Sequence, residues 1–344
     1  VATTKDPASA AAGLVLLTLA SGQFLMTLDS SVMNVSIAQV AKDVGTTVTG
    51  VQTAITLYTL VMATLMITGG KLGSMWGRRR AFAIGCVIYG CGSLTTALAP
   101  NLAVLIFGWS FLEGVGAALI MPAIVALVAL NFPKEGRPRA YGLVASAGAI
   151  AVAAGPLIGG AVTTYWTWRL VFAGEVVIVL GILVVRRRMA QSPRPEHPPR
   201  LDVVGAALSA TGLGLIVFAI LQSSSWGWVQ PRGALTIGET EITPLGFSAV
   251  PFLILAGLGI LYAFASWEER VARRGEVPLL ELPMLGILHL RAGLTSLAGQ
   301  QLVTMGTFFA LPVYLQVVLG LDALDLLQAV DVRADLQDGA ALHV

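Results

Sequence analysis

Apolar residues run along this chain without alternation for about twenty positions at a time, and short polar stretches separate the runs. A bilayer core about 30 Å thick needs roughly 20 apolar residues per helix. That ruler marks nine runs: 12–37, 50–70, 80–99, 102–130, 140–164, 169–186, 203–223, 247–267 and 292–319. Strands of a membrane barrel alternate over about ten residues, and these runs do not. Helices satisfy their own backbone groups in lipid, so the pattern predicts an all-α, polytopic membrane protein. The first run is too long for a cleavable signal sequence, and Lys5 beside Asp6 is no basic leader.

Composition narrows this further. Apolar residues make up 56% of the 344 and charged residues only 12%, whereas soluble domains carry about 25% charge. Too few charges remain to cover a water-facing surface. A net charge of +2 is uninformative as a total, but its placement is not. With the amino terminus inside, all but four of the 21 Lys and Arg fall on inner segments. The exceptions are Lys42, Arg169, Arg232 and Arg333. The positive-inside rule then places the amino terminus in the cytoplasm.

Cys86 and Cys91 are too few for a disulfide framework, and His197, His289 and His343 are scattered. No phosphate loop, nucleophile elbow or metal-ligand set is visible, so neither an enzyme nor a cofactor is expected. Residues 186–202 are basic and proline-rich and read as an extended cytoplasmic linker. From about Leu321 the composition turns acidic, with Asp322, Asp325, Asp331, Asp335 and Asp338 and no spanning run.

Three acids lie inside apolar runs. Asp29 shares a helical face with Gly22, Met26 and Met33. An ionised side chain at a helix centre costs roughly 2.5–3.5 kcal/mol, so Asp29 is expected to face a cavity. Glu113 shares a face with Trp109, and Glu175 follows Arg169 in the sixth run. Both also suit quiet packing as neutral carboxyls. Met26, Met33, Asn34 and Trp109 are candidate lining of a substrate cavity.

Four motifs, in order, carry a family resemblance. Gly70 to Arg80, GKLGSMWGRRR, has glycines at Gly70, Gly73 and Gly77 for a tight turn and close approach, then Arg78, Arg79 and Arg80. It resembles the conformational signature loop of the major facilitator superfamily, with Ser74 in place of the family's Asp. LDSSVMNVSIAQV, from Leu28, is similar to the helix-one motif of its fourteen-helix drug transporters. WSFLEGVG, from Trp109, resembles the helix-four motif, with Ser110 and Glu113 replacing its Arg and Gln. AGAIAVAAGPLIGG has Gly148, Gly155, Pro156, Gly159 and Gly160. Positions 148, 152, 155 and 159 form one small-residue face, and Pro156 is expected to kink the helix. This looks like the antiporter motif of the drug:proton branch, followed by the similar Trp168, Arg169 and Phe172.

The resemblance implies residues 1–190 as an amino-terminal six-helix bundle and 191–202 as a linker. Residues 203–291 would hold two linker helices and a cytoplasmic loop, and 292–320 the first helix of an incomplete second bundle. Residues 321–344 form a polar tail that resembles out-of-frame or foreign sequence. Val1 in place of Met also suggests a fragment or a non-AUG start. The implied function is proton-coupled export of an apolar or cationic small molecule across the plasma (inner) membrane. Asp29, then Glu113, then Glu175 would handle protons or cationic substrate. The expected partners are the lipid bilayer, a small-molecule substrate and protons, with no nucleic acid. The alternative is a truncated transporter inactive by itself, its Asp29 and Glu113 left on an uncovered groove-facing surface.

Overall fold

The structure, a computed structural model, describes residues 7–189, 201–232, 235–237, 240–242 and 244–314. Most of the predicted linker and all of the acidic tail lie outside them. Among the described residues each of the nine apolar runs forms a helix. These are α1 (Pro7–Asp43), α2 (Val48–Trp76), α3 (Arg78–Ala97) and α4 (Leu102–Asn131), then α5 (Arg137–Tyr165) and α6 (Arg169–Val185). After these come α7 (Val203–Trp226), α8 (Ala249–Arg273) and α9 (Leu288–Val313). A two-strand hairpin, β1 (Leu235–Ile237) with β2 (Thr240–Ile242), lies between α7 and α8 and was not foreseen.

Several helices outrun their apolar stretches, because a helix need not stop at the membrane surface. The starts of α2, α4, α7 and α8 are set by capping side chains, which accept free backbone N–H groups of the first turn. Asn101 accepts from Val104 at 3.0 Å and Asp202 from Gly205 at 2.9 Å. Among the described residues six helices are long and apolar enough to cross a membrane by themselves: α1, α2, α4, α5, α7 and α8. Of the others, α6 has only 17 residues and α3 opens on three arginines.

Contacts divide the chain into two units, Val1–Leu280 and Glu281–Val344. In lipid, helices gain little from hiding apolar side chains, so close backbone approach at small residues holds them together. Gly148, Gly155 and Gly159 of α5 all press on α1, as the spacing predicted, whereas a side chain at Gly160 would meet nothing within 4 Å. Val152, on the same predicted face, is instead exposed. Helix α5 continues unbroken through Pro156. Between α2 and α4 the close approach is made by Gly69, not by Gly70. A Cβ at Gly69 would overlap the Ala118 carbonyl oxygen, which Pro122 deprives of its intrahelical donor.

Two large apolar clusters, with a smaller third between α1, α5 and α6, fill the first six helices. One includes Met26, Phe82, Tyr89 and Ile124, the other Met33, Tyr58, Trp109 and Phe172. Helices α7 and α8 pack on each other through Gly212 and Gly257, and α7 also packs on α2. Trp226 is buried and packs edge-on to Phe218, while Trp228 is exposed. In the second unit α9 carries exposed Leu294, Leu297, Leu302 and Val303.

Candidate functional site

Where Gly70, Gly73 and Gly77 were expected to make a turn, α2 ends and α3 begins at Gly77 itself. Its φ of 88° suits glycine alone. Arg78 Nη1 folds back to the Gly70 carbonyl at 2.9 Å, and its partial burial lowers its pKa below the usual arginine value. Arg79 donates to the Met189 carbonyl at 3.0 Å, and Lys71 to that of Pro278. Arg79 and Arg80 line a small polar cavity with Arg186 and Arg187, so the two basic segments share one end of the unit. Ser74, at the position of the family's Asp, donates to the Lys71 carbonyl at 2.7 Å.

At the other end, Trp168, Arg169 and Phe172 tie three helices together. Trp168 Nε1 donates to Asp43 at 2.9 Å, and its ring packs edge-on to Phe172 and beneath the Arg169 guanidinium. Arg169 Nη1 donates to the Ala97 and Ala99 carbonyls at 3.1 and 2.7 Å.

Between the two apolar clusters Asp29 of α1, Glu113 of α4 and Glu175 of α6 converge. One carboxylate oxygen from each lies within 4.8 Å of the other two. All three are fully buried, the most exposed at 1%. This overturns the expectation that Asp29 and Glu113 lie on a groove-facing surface, because the packing of α1 and α4 rotates both acids into the protein. Each acid has a protein donor. Trp109 Nε1 donates to Asp29 at 2.7 Å, Thr96 to Glu113 at 3.2 Å and Ser93 to Glu175 at 3.0 Å. A second oxygen on each (Asp29 Oδ2, Glu113 Oε2, Glu175 Oε1) is buried without a partner. None of these donors is a basic side chain. Two like charges this close repel by about 3 kcal/mol at an effective dielectric constant near 20. The trio therefore keeps its full charge only beside a compensating cation, and otherwise takes up protons.

Local structure places these groups. Residues 106–113 of α4 form a π-helical segment, the kind of irregularity often found at functional sites. Glu113 ends it. A Cβ at Gly92 of α3 would lie 2.8 Å from the Gly108 carbonyl and against Glu113, so only glycine leaves that acid its place. Trp109 is held by stacking on Tyr58, centroids 5.2 Å apart. Ser110, where the family has Arg, donates to the Ala54 carbonyl at 2.8 Å.

The structure thus joins Asp29, Glu113, Glu175 and Trp109. Met26 and Met33 are buried in separate clusters, and Asn34 is exposed with its amide on the Ser30 carbonyl. An apolar cavity of about 440 Å³ lies between α1, α5 and α6, lined by Leu28, Ile158, Val171 and Ile178 among others, with Glu175 in its wall. Sequence reasoning missed Ser93, Thr96, Tyr58 and Tyr89. For α3 a signal was present: Tyr89, Gly92, Ser93 and Thr96 share one face at helical spacing.

Comparison with known proteins fits this architecture. Residues 19–331 match the model of the Major Facilitator Superfamily. The chain is 32% identical over 306 residues to the puromycin resistance protein pur8 of Streptomyces alboniger, covering 88% of this chain and 56% of that one. It is 30% identical to the probable actinorhodin transporter of Streptomyces coelicolor, covering 90% and 50%. For the cephamycin export protein CmcT of Amycolatopsis lactamdurans the identity is 32%, covering 93% and 62%. The chain therefore spans about half the length of the curated relatives it matches. Among solved structures, the proton:xylose symporter XylE is similar at 17% identity and a TM-score of 0.49, covering 94% of this chain and 66% of that one. The chain is a multi-pass membrane protein that belongs to the major facilitator superfamily, a family of transporters and not of enzymes.

Proposed function

We propose that this chain is part of a proton-coupled exporter of apolar or cationic small molecules. The observation that carries this reading is the buried meeting of Asp29, Glu113 and Glu175 inside a superfamily transporter. Three mutually repelling carboxylates in a dry core take up and release protons as their surroundings change, and that is what coupling requires. The relatives named for resistance to puromycin and export of cephamycin support the outward direction. Residues 1–190 supply the six-helix bundle, and the helices from residue 203 to 291 bridge toward a second one across which substrate access would alternate. Asn34, exposed on α1, is the best placed of the expected substrate contacts, whereas Met26 and Met33 are buried in the apolar core. The amino terminus and the Gly70–Arg80 loop lie on the cytoplasmic side of the plasma membrane.

The test is efflux of a fluorescent lipophilic cation, driven by an imposed pH gradient. It compares cells expressing the uninterrupted reading frame around these residues with cells expressing its Asp29→Asn variant. The variant should reach the membrane in normal amount and lose proton-driven efflux, since removing the charge only lowers the insertion cost. Undiminished pH-driven export by the variant would sink the role given to Asp29.

A further inference from the structure

We propose that Asp29, Glu113 and Glu175 form a binding site for a hard divalent cation of Ca2+ size. Three observations carry it. The acids bring one oxygen each to within 4.8 Å of one another. Each also keeps a buried oxygen that no protein group satisfies. Independently, two buried hydroxyls from other helices make no hydrogen bond of ordinary length at this cluster: Tyr89 on α3, beside Asp29, and Tyr58 on α2, whose ring stacks on Trp109. A buried polar group left unpaired is costly, and five such residues in one place call for a common partner. Protons neutralise the acids one at a time, whereas a divalent cation compensates two charges at once and can take an oxygen from each residue. A cation takes them together.

The donor chemistry selects the ion. Every available donor is oxygen, which favours a hard cation over the thiolate- and imidazole-seeking metals. Ca2+ takes six to eight oxygens at about 2.3–2.6 Å, so donors on opposite sides of it stand up to about 5 Å apart. The cluster fits that span. Mg2+ binds closer and keeps several waters, which a fully buried site does not provide. Binding is an equilibrium property, so the inference stands apart from the transport reading.

The test uses the whole chain purified in detergent, with Ca2+ itself and with Tb3+ as a luminescent probe of similar size. Trp109, bonded to Asp29, is placed to sensitise Tb3+ emission. Saturable emission is expected, displaced by Ca2+ far better than by Mg2+, together with a Ca2+-dependent rise in unfolding temperature. Glu113→Gln and Glu175→Gln should each weaken Ca2+ binding by about tenfold or more. Should neither variant fold, the pH series on the unaltered chain decides, because carboxylate ligands must release Ca2+ as pH falls. No saturable Ca2+ binding, equal affinity in folded variants, or binding independent of pH would overturn the proposal. Proton-driven efflux is measured without Ca2+, so the two readings fail separately.

Discussion

Ser31 Oγ of α1 lies 3.4 Å from the carbonyl oxygen of Val152 on α5. That carbonyl has no donor within its own helix, because Pro156, four residues on, carries no N–H. Gly155 leaves the room, since a Cβ there would overlap Ser31 Oγ and Cβ. Two sequence motifs more than a hundred residues apart thus meet in one contact, two residues from Asp29.

Gly155→Ala is therefore expected to force α1 away from α5 and to cost about 1–3 kcal/mol, the usual price of overpacking. Ser31→Gly placed in the same chain should recover most of that loss by removing the overlapping atoms. Thermal unfolding in detergent reads both. A double variant no more stable than Gly155→Ala would show that the contact does not limit the packing.

Trp109→Phe keeps a ring to stack on Tyr58 but removes the donor to Asp29 Oδ1. Asp29 would then have neither oxygen satisfied, at a cost of about 1.5–3 kcal/mol. In an Asp29→Ala background the same substitution should cost clearly less. Equal losses in the two backgrounds would mean that the indole acts by packing alone.

Residues 186–202 are expected in the cytoplasm. With Ser192→Cys as the labelling site and Cys86 and Cys91 replaced by serine, an impermeant thiol reagent should not label intact cells and should label broken ones. Ready labelling of intact cells would invert the topology. Ser192 itself lies outside the described residues.

Expressed by themselves, the 344 residues should insert and fold but not move substrate. Acids exposed to lipid would have cost about 5–7 kcal/mol and favoured aggregation. With both acids buried and hydrogen-bonded, that cost is not incurred, and a monodisperse species in detergent is expected. Alternating access still needs two bundles closing on one site. Saturable, proton-dependent uptake by reconstituted vesicles of this chain would contradict this and point to paired subunits.

The nine helices of the described residues were legible in the sequence because lipid forces each span to satisfy its own backbone and to be largely apolar. Those demands are local, and they leave their mark residue by residue. Asp29, Glu113 and Glu175 were legible one at a time for the same reason, as charges where charge is expensive. The glycines of α5 announced a close neighbour, but not that the neighbour was α1. Only the tertiary structure decided that three acids on α1, α4 and α6 share a single site, with Ser93, Thr96 and Trp109 as their donors. It also decided that Gly69, not Gly70, admits α4. The physical reason is rotation. Which side of a helix faces which neighbour depends on where small residues let backbones approach and on a local break such as the π-helical segment at 106–113, and neither is contained in the apolar pattern of one helix alone.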